Sequence, residues 1–140
     1  MRLNTKYPPT PENAAQHAEQ MVQASKEISG VDLDFSPKSL EAVDKIIEEL
    51  RREGVSTDEV AETLFGFGCY VGELFVRNNN GKWIFTEDTP MRGVAGCPIV
   101  VELAEKHICN PIGKAFKRLE NGKEDSLPYF YHVFTRDKQG

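Results

Sequence analysis

The clearest periodicity in the chain is Leu40, Val43, Ile46, Ile47 and Leu50. Apolar residues at that i, i+3, i+4, i+7 spacing make one face of an amphipathic helix. Glu41, Asp44, Lys45, Glu48, Glu49, Arg51 and Arg52 take the other side, with Ser36-Pro37 as the start signal and Gly54 as the stop. An earlier helix is bracketed by Thr10-Pro11 and Gly30. Its stripe of Ala14, Ala18, Met21, Val22, Ala24 and Ile28 is small and scattered, so it is expected at an edge or against a partner. "VDLDF" between these helices reads as an extended link or short strand. Ser56 with Glu59 three residues on forms a capping box. It opens a third, strongly apolar helix over about 57–77 that dissolves in "NNNG".

The period then changes. "KWIF", "IVVEL" and "HIC" read as short strands separated by a Gly/Pro-punctuated loop and a tight connection, which predicts an antiparallel meander. Asn110-Pro111 restarts helical spacing, with Ile112, Ala115, Phe116 and Leu119 on one face and Asn121-Gly122 at the end. Asp125 or Ser126 caps a last helix whose Leu127, Phe130, Tyr131 and Phe134 are expected to face inward. The pattern predicts a single α+β domain over 1–140. About five helices pack around a small three-stranded antiparallel sheet, the helix near 57–77 is central, and 1–10 and 135–140 are frayed.

The third helix contains "GFGCYVGELF", whose Gly66, Gly68 and Gly72 imitate a nucleotide-binding fingerprint. That fingerprint needs a strand before the glycines, and here the preceding residues are already helical. A phosphate loop would need a following Gly-Lys-Ser/Thr, which is absent. Each glycine inside a helix costs about 1 kcal/mol relative to alanine. Three of them imply a compensating close approach of backbones, and Gly68 and Gly72, four apart, share a face. Val60, Leu64, Phe67, Val71 and Leu74, widened by Ala61, Phe65 and Phe75, leave only Glu62, Glu73 and Arg77 as a polar strip. If that strip is buried, Glu73 must be paired. Arg77, at i+4, is the expected partner, and a functional carboxylate is the alternative.

The chain has 140 residues, a formal charge of -5 and a pI near 5.2. The sign of that charge argues against nonspecific nucleic-acid binding, which needs a positive field. The first residues contain no apolar leader-like run, and the most apolar segment, 60–76, is shorter than the ~20 residues a bilayer requires. Neither secretion nor a membrane partner is therefore expected. Three cysteines suit a reducing cytosol better than a disulfide framework.

Candidate chemistry is sparse. Cys97, His107 and Cys109, with His132 as a distant fourth, lack zinc-ligand spacing, so no metal or other cofactor is expected. Cys69 sits mid-helix, where no helix N-terminus lowers its pKa. Glu102 with Glu105 and Glu120 with Glu124 are close in sequence only. Lys114, Lys117, Arg118 and Lys123 could hold an anion, but interleaved Glu120, Glu124 and Asp125 favour an ion-paired helix surface. A tyrosine or tryptophan left exposed among Trp83, Tyr129 and Tyr131 would mark a protein-binding hot spot.

Three stretches, "LDFSPKSLEAVDKII", "GCYVGELFVRNNNGKW" and "NPIGKAFKRLENGKEDSL", together resemble a family of small, uncharacterised bacterial domains. Its pattern is a helical Y-x-G-E segment, a tryptophan after a glycine turn, and a block N-P-x-x-K…R-L-x-N-G-x-E-D-S-L. The resemblance spans about 33–134 and leaves the 11–30 helix outside. It implies a bacterial cytoplasmic protein and carries no activity. It marks Tyr70, Gly72, Glu73, Trp83, Asn110, Pro111, Lys114, Arg118, Leu119, Asn121, Gly122 and Asp125 as positions of interest.

With no convincing nucleophile, acid–base pair or metal set, the expected function is a non-catalytic interaction module. Its partner would be another protein, with the module acting as that protein's cognate partner or inhibitor; self-association is left open. The alternative is a ligand-binding or enzymatic domain with a pocket near Glu73, Tyr70 and Lys114. The candidate cluster is Tyr70, Glu73, Trp83, Lys114 and Arg118.

Overall fold

Every residue from Leu64 to Phe75 is buried, so one helix forms the axis of the molecule. The computed structural model describes residues 7–93 and 96–136. Within them lie α1 (Ala14–Ser29), α2 (Ser39–Arg52), α3 (Ala61–Asn79), β1 (Lys82–Phe85), β2 (Ile99–Glu102), β3 (Ile108–Cys109), α4 (Pro111–Asn121) and α5 (Leu127–Thr135). The architecture is α+β: five helices among the described residues and an antiparallel sheet ordered β1-β2-β3. Of the frayed ends expected at 1–10 and 135–140, residues 1–6 and 137–140 lie outside the described residues, as do positions 94 and 95 of the long loop. Just inside the amino-terminal end, the Pro8 carbonyl lies 3.3 Å from His17 Nε2, tying residue 8 to α1.

The helix boundaries follow local chemistry. The capping box is reciprocal: Ser56 N–H donates to Glu59 Oε1 at 2.8 Å and Glu59 N–H to Ser56 Oγ at 3.3 Å. It closes a 3-10 turn, Asp58–Val60, so the α-helical part of α3 starts at Ala61, later than the sequence pattern places it. At the other end α3 runs past Arg77 to Asn79. Asn80 takes the left-handed conformation at φ 57, and Gly81 N–H returns to the Phe75 carbonyl at 2.9 Å. Asparagine tolerates that conformation better than most side chains. Gly30, at φ 66, ends α1 in the same way. Asn110 caps α4 by accepting from Gly113 N–H at 2.9 Å. Ser126 caps α5, accepting from Tyr129 N–H at 3.3 Å. The "VDLDF" stretch forms no strand; Asp34 Oδ1 instead accepts from both the N–H and the hydroxyl of Ser36, making a turn.

The three glycines of α3 serve three neighbours. A Cβ on Gly66 would overlap Met21 of α1, one on Gly68 the backbone Cα of Ile112 in α4, and one on Gly72 the indole of Trp83 in β1. Gly68 and Gly72 therefore share a face, as their spacing predicts, while Gly66 opens the opposite side to α1. Trp83 lies opposite Val101 and Val101 opposite Cys109. These three side chains share one sheet face, turned to α3. Ile28 departs from the expected α1 stripe: it is 84% exposed, while Ala14 and Ala18 are fully buried and Met21 packs on Gly66 of α3.

The neighbours differ in how far they can yield. Gly68→Ala drives a methyl into main chain, and is expected to destabilise by about 1–3 kcal/mol even after the gain in helix propensity. Gly66→Ala meets a flexible methionine and is expected to be within about 1 kcal/mol of neutral. Urea unfolding of the two variants measures the difference directly.

Candidate functional site

Glu73 is 4% exposed and both carboxylate oxygens are committed. Oε2 accepts from the Trp83 indole N–H at 2.9 Å and Oε1 from Arg77 Nε at 3.0 Å. Arg77 continues outward, donating from Nη2 to Glu19 of α1 at 3.1 Å, and its guanidinium lies 3.7 Å from the centroid of the Phe35 ring. Trp83 can reach Glu73 because Gly72 leaves room for the indole. The glycine, the tryptophan and the carboxylate are thus one packing device that joins α1, α3 and β1.

Tyr70 is fully buried and faces the 31–38 strap. Its hydroxyl meets Ser39 Oγ at 2.6 Å and accepts the Phe35 N–H at 2.8 Å. Phe35 sits at φ 62, a conformation that costs a non-glycine residue about 1–2 kcal/mol. The hydroxyl of Tyr70, its ring at 4.7 Å from that of Phe35, and the Arg77 guanidinium together hold it there. Burial raises the Tyr70 phenol pKa above its ordinary value, so this hydroxyl is a fixed hydrogen-bonding group rather than a base.

Arg118 is 1% exposed, the largest charged side chain in the interior. It makes a fork to Asp44, Nε to Oδ1 at 2.9 Å and Nη2 to Oδ2 at 3.1 Å, and Nη1 reaches Glu48 at 2.8 Å. Asp44 Oδ1 also accepts the Leu127 N–H at 2.9 Å. One guanidinium thereby fastens α4 to α2, and through Asp44 to the start of α5. The hydrogen bond from Arg118 holds the Glu48 carboxyl below its usual range. Sequence spacing could mark Asp44 and Glu48 as one polar face, but not that the face closes over an arginine seventy residues away.

Lys114 lies in a fourth place. Its ammonium donates to Asp125 at 2.6 Å, and Asn121 Nδ2 holds the other Asp125 oxygen at 2.8 Å. The Lys114 hydrogen bond depresses the Asp125 pKa. The five candidate residues therefore do not form one cluster. Glu73 and Trp83 are joined, while Tyr70, Arg118 and Lys114 each belong to a separate polar contact.

The cysteines are similarly dispersed. Burial pushes the Cys69 thiol up, with the Glu73 charge adding to the effect, and burial alone raises Cys109. Cys97 is half-buried and donates to Asn110 Oδ1 at 3.0 Å, and burial raises it too. Among the described residues, no three His, Cys, Asp or Glu side chains are grouped so that they could hold a metal ion. His107 and His132 are both exposed.

A groove of about 540 Å³ lies between α4 and α5, with Met91 and Cys97 also lining it. Gly113, Lys117 and Glu120 follow one another along the α4 wall, and Phe130 and Phe134 along the α5 wall. The two phenylalanines, expected to face inward, are only half-buried, their rings 5.1 Å apart and both edge-on to Phe75. Leu127 and Tyr131, the other two residues expected to face inward, are buried. Tyr129, on the same helix, is 63% exposed. An apolar arc covering most of α5 left no polar face to show which side would meet the core. Lys114 lines this groove; neither Tyr70 nor Glu73 does.

Comparison with known proteins found no matching family model, no matching curated protein and no matching solved structure.

Two expected outcomes test the electrostatic reading. Arg118→Ala strands two carboxylates against a buried face and is expected to lower unfolding stability by about 3–5 kcal/mol, read in urea. Lys114→Met releases Asp125. A carboxylate with a depressed pKa in the fold adds stability above its unfolded value, and that contribution disappears as pH falls through the lower folded value. The stability gap between wild type and Lys114→Met is therefore largest above pH 3.8, the ordinary aspartate value, and closes in stronger acid. Thermal melts across pH measure it.

Proposed function

We propose that this chain is a non-catalytic interaction module that docks another protein in the groove between α4 and α5. The observation that carries the reading is the half-exposed pair Phe130 and Phe134 along one wall. Aromatic side chains left partly solvated in a concave site are where binding energy concentrates at protein interfaces. The exposed Tyr129 extends the same helix toward solvent.

The polar candidates support it from the other side. Glu73, Tyr70 and Arg118 are spent on holding helices together, and each has its hydrogen-bonding partners inside the protein. Such groups are poor candidates for acid–base or nucleophilic work, which needs a titratable group within reach of a substrate. The alternative pocket joining Glu73, Tyr70 and Lys114 draws support from Lys114 alone, since the other two do not line the groove. The bacterial, cytoplasmic setting implied by the resemblance belongs to this proposal. No helix among the described residues is long and apolar enough to cross a membrane.

Purification of the full chain from its native host, with Phe134→Ser in parallel, tests the reading. The expected outcome is a stoichiometric protein retained by the wild type and lost by the variant, with circular dichroism showing both chains folded. A metabolite or metal ion retained in native mass spectra, in place of a protein, overturns it.

A further inference from the structure

We propose that Asn80 is a site of spontaneous covalent conversion to aspartate and isoaspartate, and that the fold holds the matching tripeptide at Asn121 inert. The chain contains Asn-Gly-Lys twice, at 80–82 and 121–123. The chemistry open to an Asn-Gly pair is intramolecular. The glycine amide nitrogen gives up its proton and attacks the asparagine Cγ. The N–Cγ bond forms, the Cγ–Nδ2 bond breaks, and the amino group leaves as ammonia with that proton. Water then opens the five-membered imide at either carbonyl carbon, its hydroxyl joining the carbon and its hydrogen returning to the nitrogen. One opening leaves aspartate. The other leaves isoaspartate, with the main chain rerouted through the side chain. Glycine admits the reaction because no Cβ obstructs the approach.

The two pairs differ in what holds the reacting atoms. Asn121 is fixed at both. Its Nδ2, the leaving nitrogen, donates to Asp125 Oδ2 at 2.8 Å, and Asp125 is itself clamped by Lys114. The attacking nitrogen belongs to Gly122, which is buried, and its N–H donates to the carbonyl of the buried Arg118. Asn80 is exposed, and its carboxamide has no hydrogen-bond partner among the described residues. Its protection is the bond from Gly81 N–H to the Phe75 carbonyl at 2.9 Å. That bond closes the end of α3, and helix ends open locally at much lower free energy than the core. Once it opens, the Gly81 nitrogen meets a carboxamide that is already free to turn. At Asn121 the Asp125 contact must break as well, and a buried glycine must be uncovered.

The position of Asn80 gives the conversion a structural consequence. A new carboxylate at the C-terminal end of α3 opposes the helix dipole. Isoaspartate adds one atom to the main chain three residues before Trp83, whose indole is bonded to Glu73. Conversion therefore loosens the junction of α3 and β1.

The test incubates the full chain at mildly alkaline pH below its melting temperature, beside the same chain unfolded in urea. Peptide mapping by mass spectrometry follows the gain of one mass unit at each pair. In urea the two pairs are expected to convert at rates within about threefold of each other. In the folded chain Asn80 is expected to convert at least about tenfold faster than Asn121, because each rate follows the population of its opened state. The converted chain, separated by its added charge, is expected to melt at a lower temperature than the unconverted one. Equal rates at the two pairs in the folded chain overturn the proposal. So does a folded chain in which Asn80 stays intact while the unfolded chain converts, or an unfolded chain in which neither pair reacts. An unchanged melt of the converted chain overturns the loosening of the junction.

Discussion

The fold depends on how closely other chain segments can approach α3. At Gly68 the backbone of α4 comes so near that no side chain could intervene, and at Gly72 the indole of Trp83 occupies the space a methyl would take. Helices with ordinary side chains between them keep their axes about 8–10 Å apart. Removing the side chain at the contact shortens that distance and brings α4 and the sheet onto one face of a single helix. The intrinsic helix cost of glycine is offset by the apolar area this arrangement buries, including the continuous run from Leu64 to Phe75.

Close packing of this kind decides what the polar residues can do. Once Trp83 lies on Gly72, its N–H is buried and needs an acceptor, and Glu73 supplies it. Once Glu73 is buried it needs a cation, and Arg77 supplies that from the next turn. The chain of partners ends at Glu19, 57% exposed on α1. Arg118 follows the same logic between α2, α4 and α5, where a planar guanidinium satisfies two carboxylates at once. These networks give the helices a defined register, and in doing so they use up the groups that composition would nominate for chemistry.

The groove is the complement of that arrangement. α5 is short, and it buries Leu127 and Tyr131 while leaving Phe130 and Phe134 half covered. Leu127 and Tyr131 fill the inward positions, and Phe130 and Phe134 reach the core only along one edge, at Phe75. Two half-covered aromatic rings lining a concave surface are what distinguish this face from the polar helix surfaces elsewhere.

Much of the architecture could be read along the chain because it rests on local rules. The α2 stripe, the Ser56–Glu59 capping box, the Asn110 and Ser126 caps, the meander of three strands and the central placement of the glycine-bearing helix all follow from side chains a few residues apart. So did the pairing of Glu73 with Arg77, one helical turn away. Boundaries moved where two local geometries compete, as in the 3-10 turn ahead of Ala61 and the left-handed Asn80 that extends α3. Only the tertiary structure could decide which distant groups meet: Arg118 with Asp44 and Glu48, Tyr70 with Ser39 and Phe35, and which rings of α5 stay in solvent. Periodicity tells a residue which face of its own helix it occupies. What stands opposite that face is set by how the helices pack, and that depends on every close contact in the core at once.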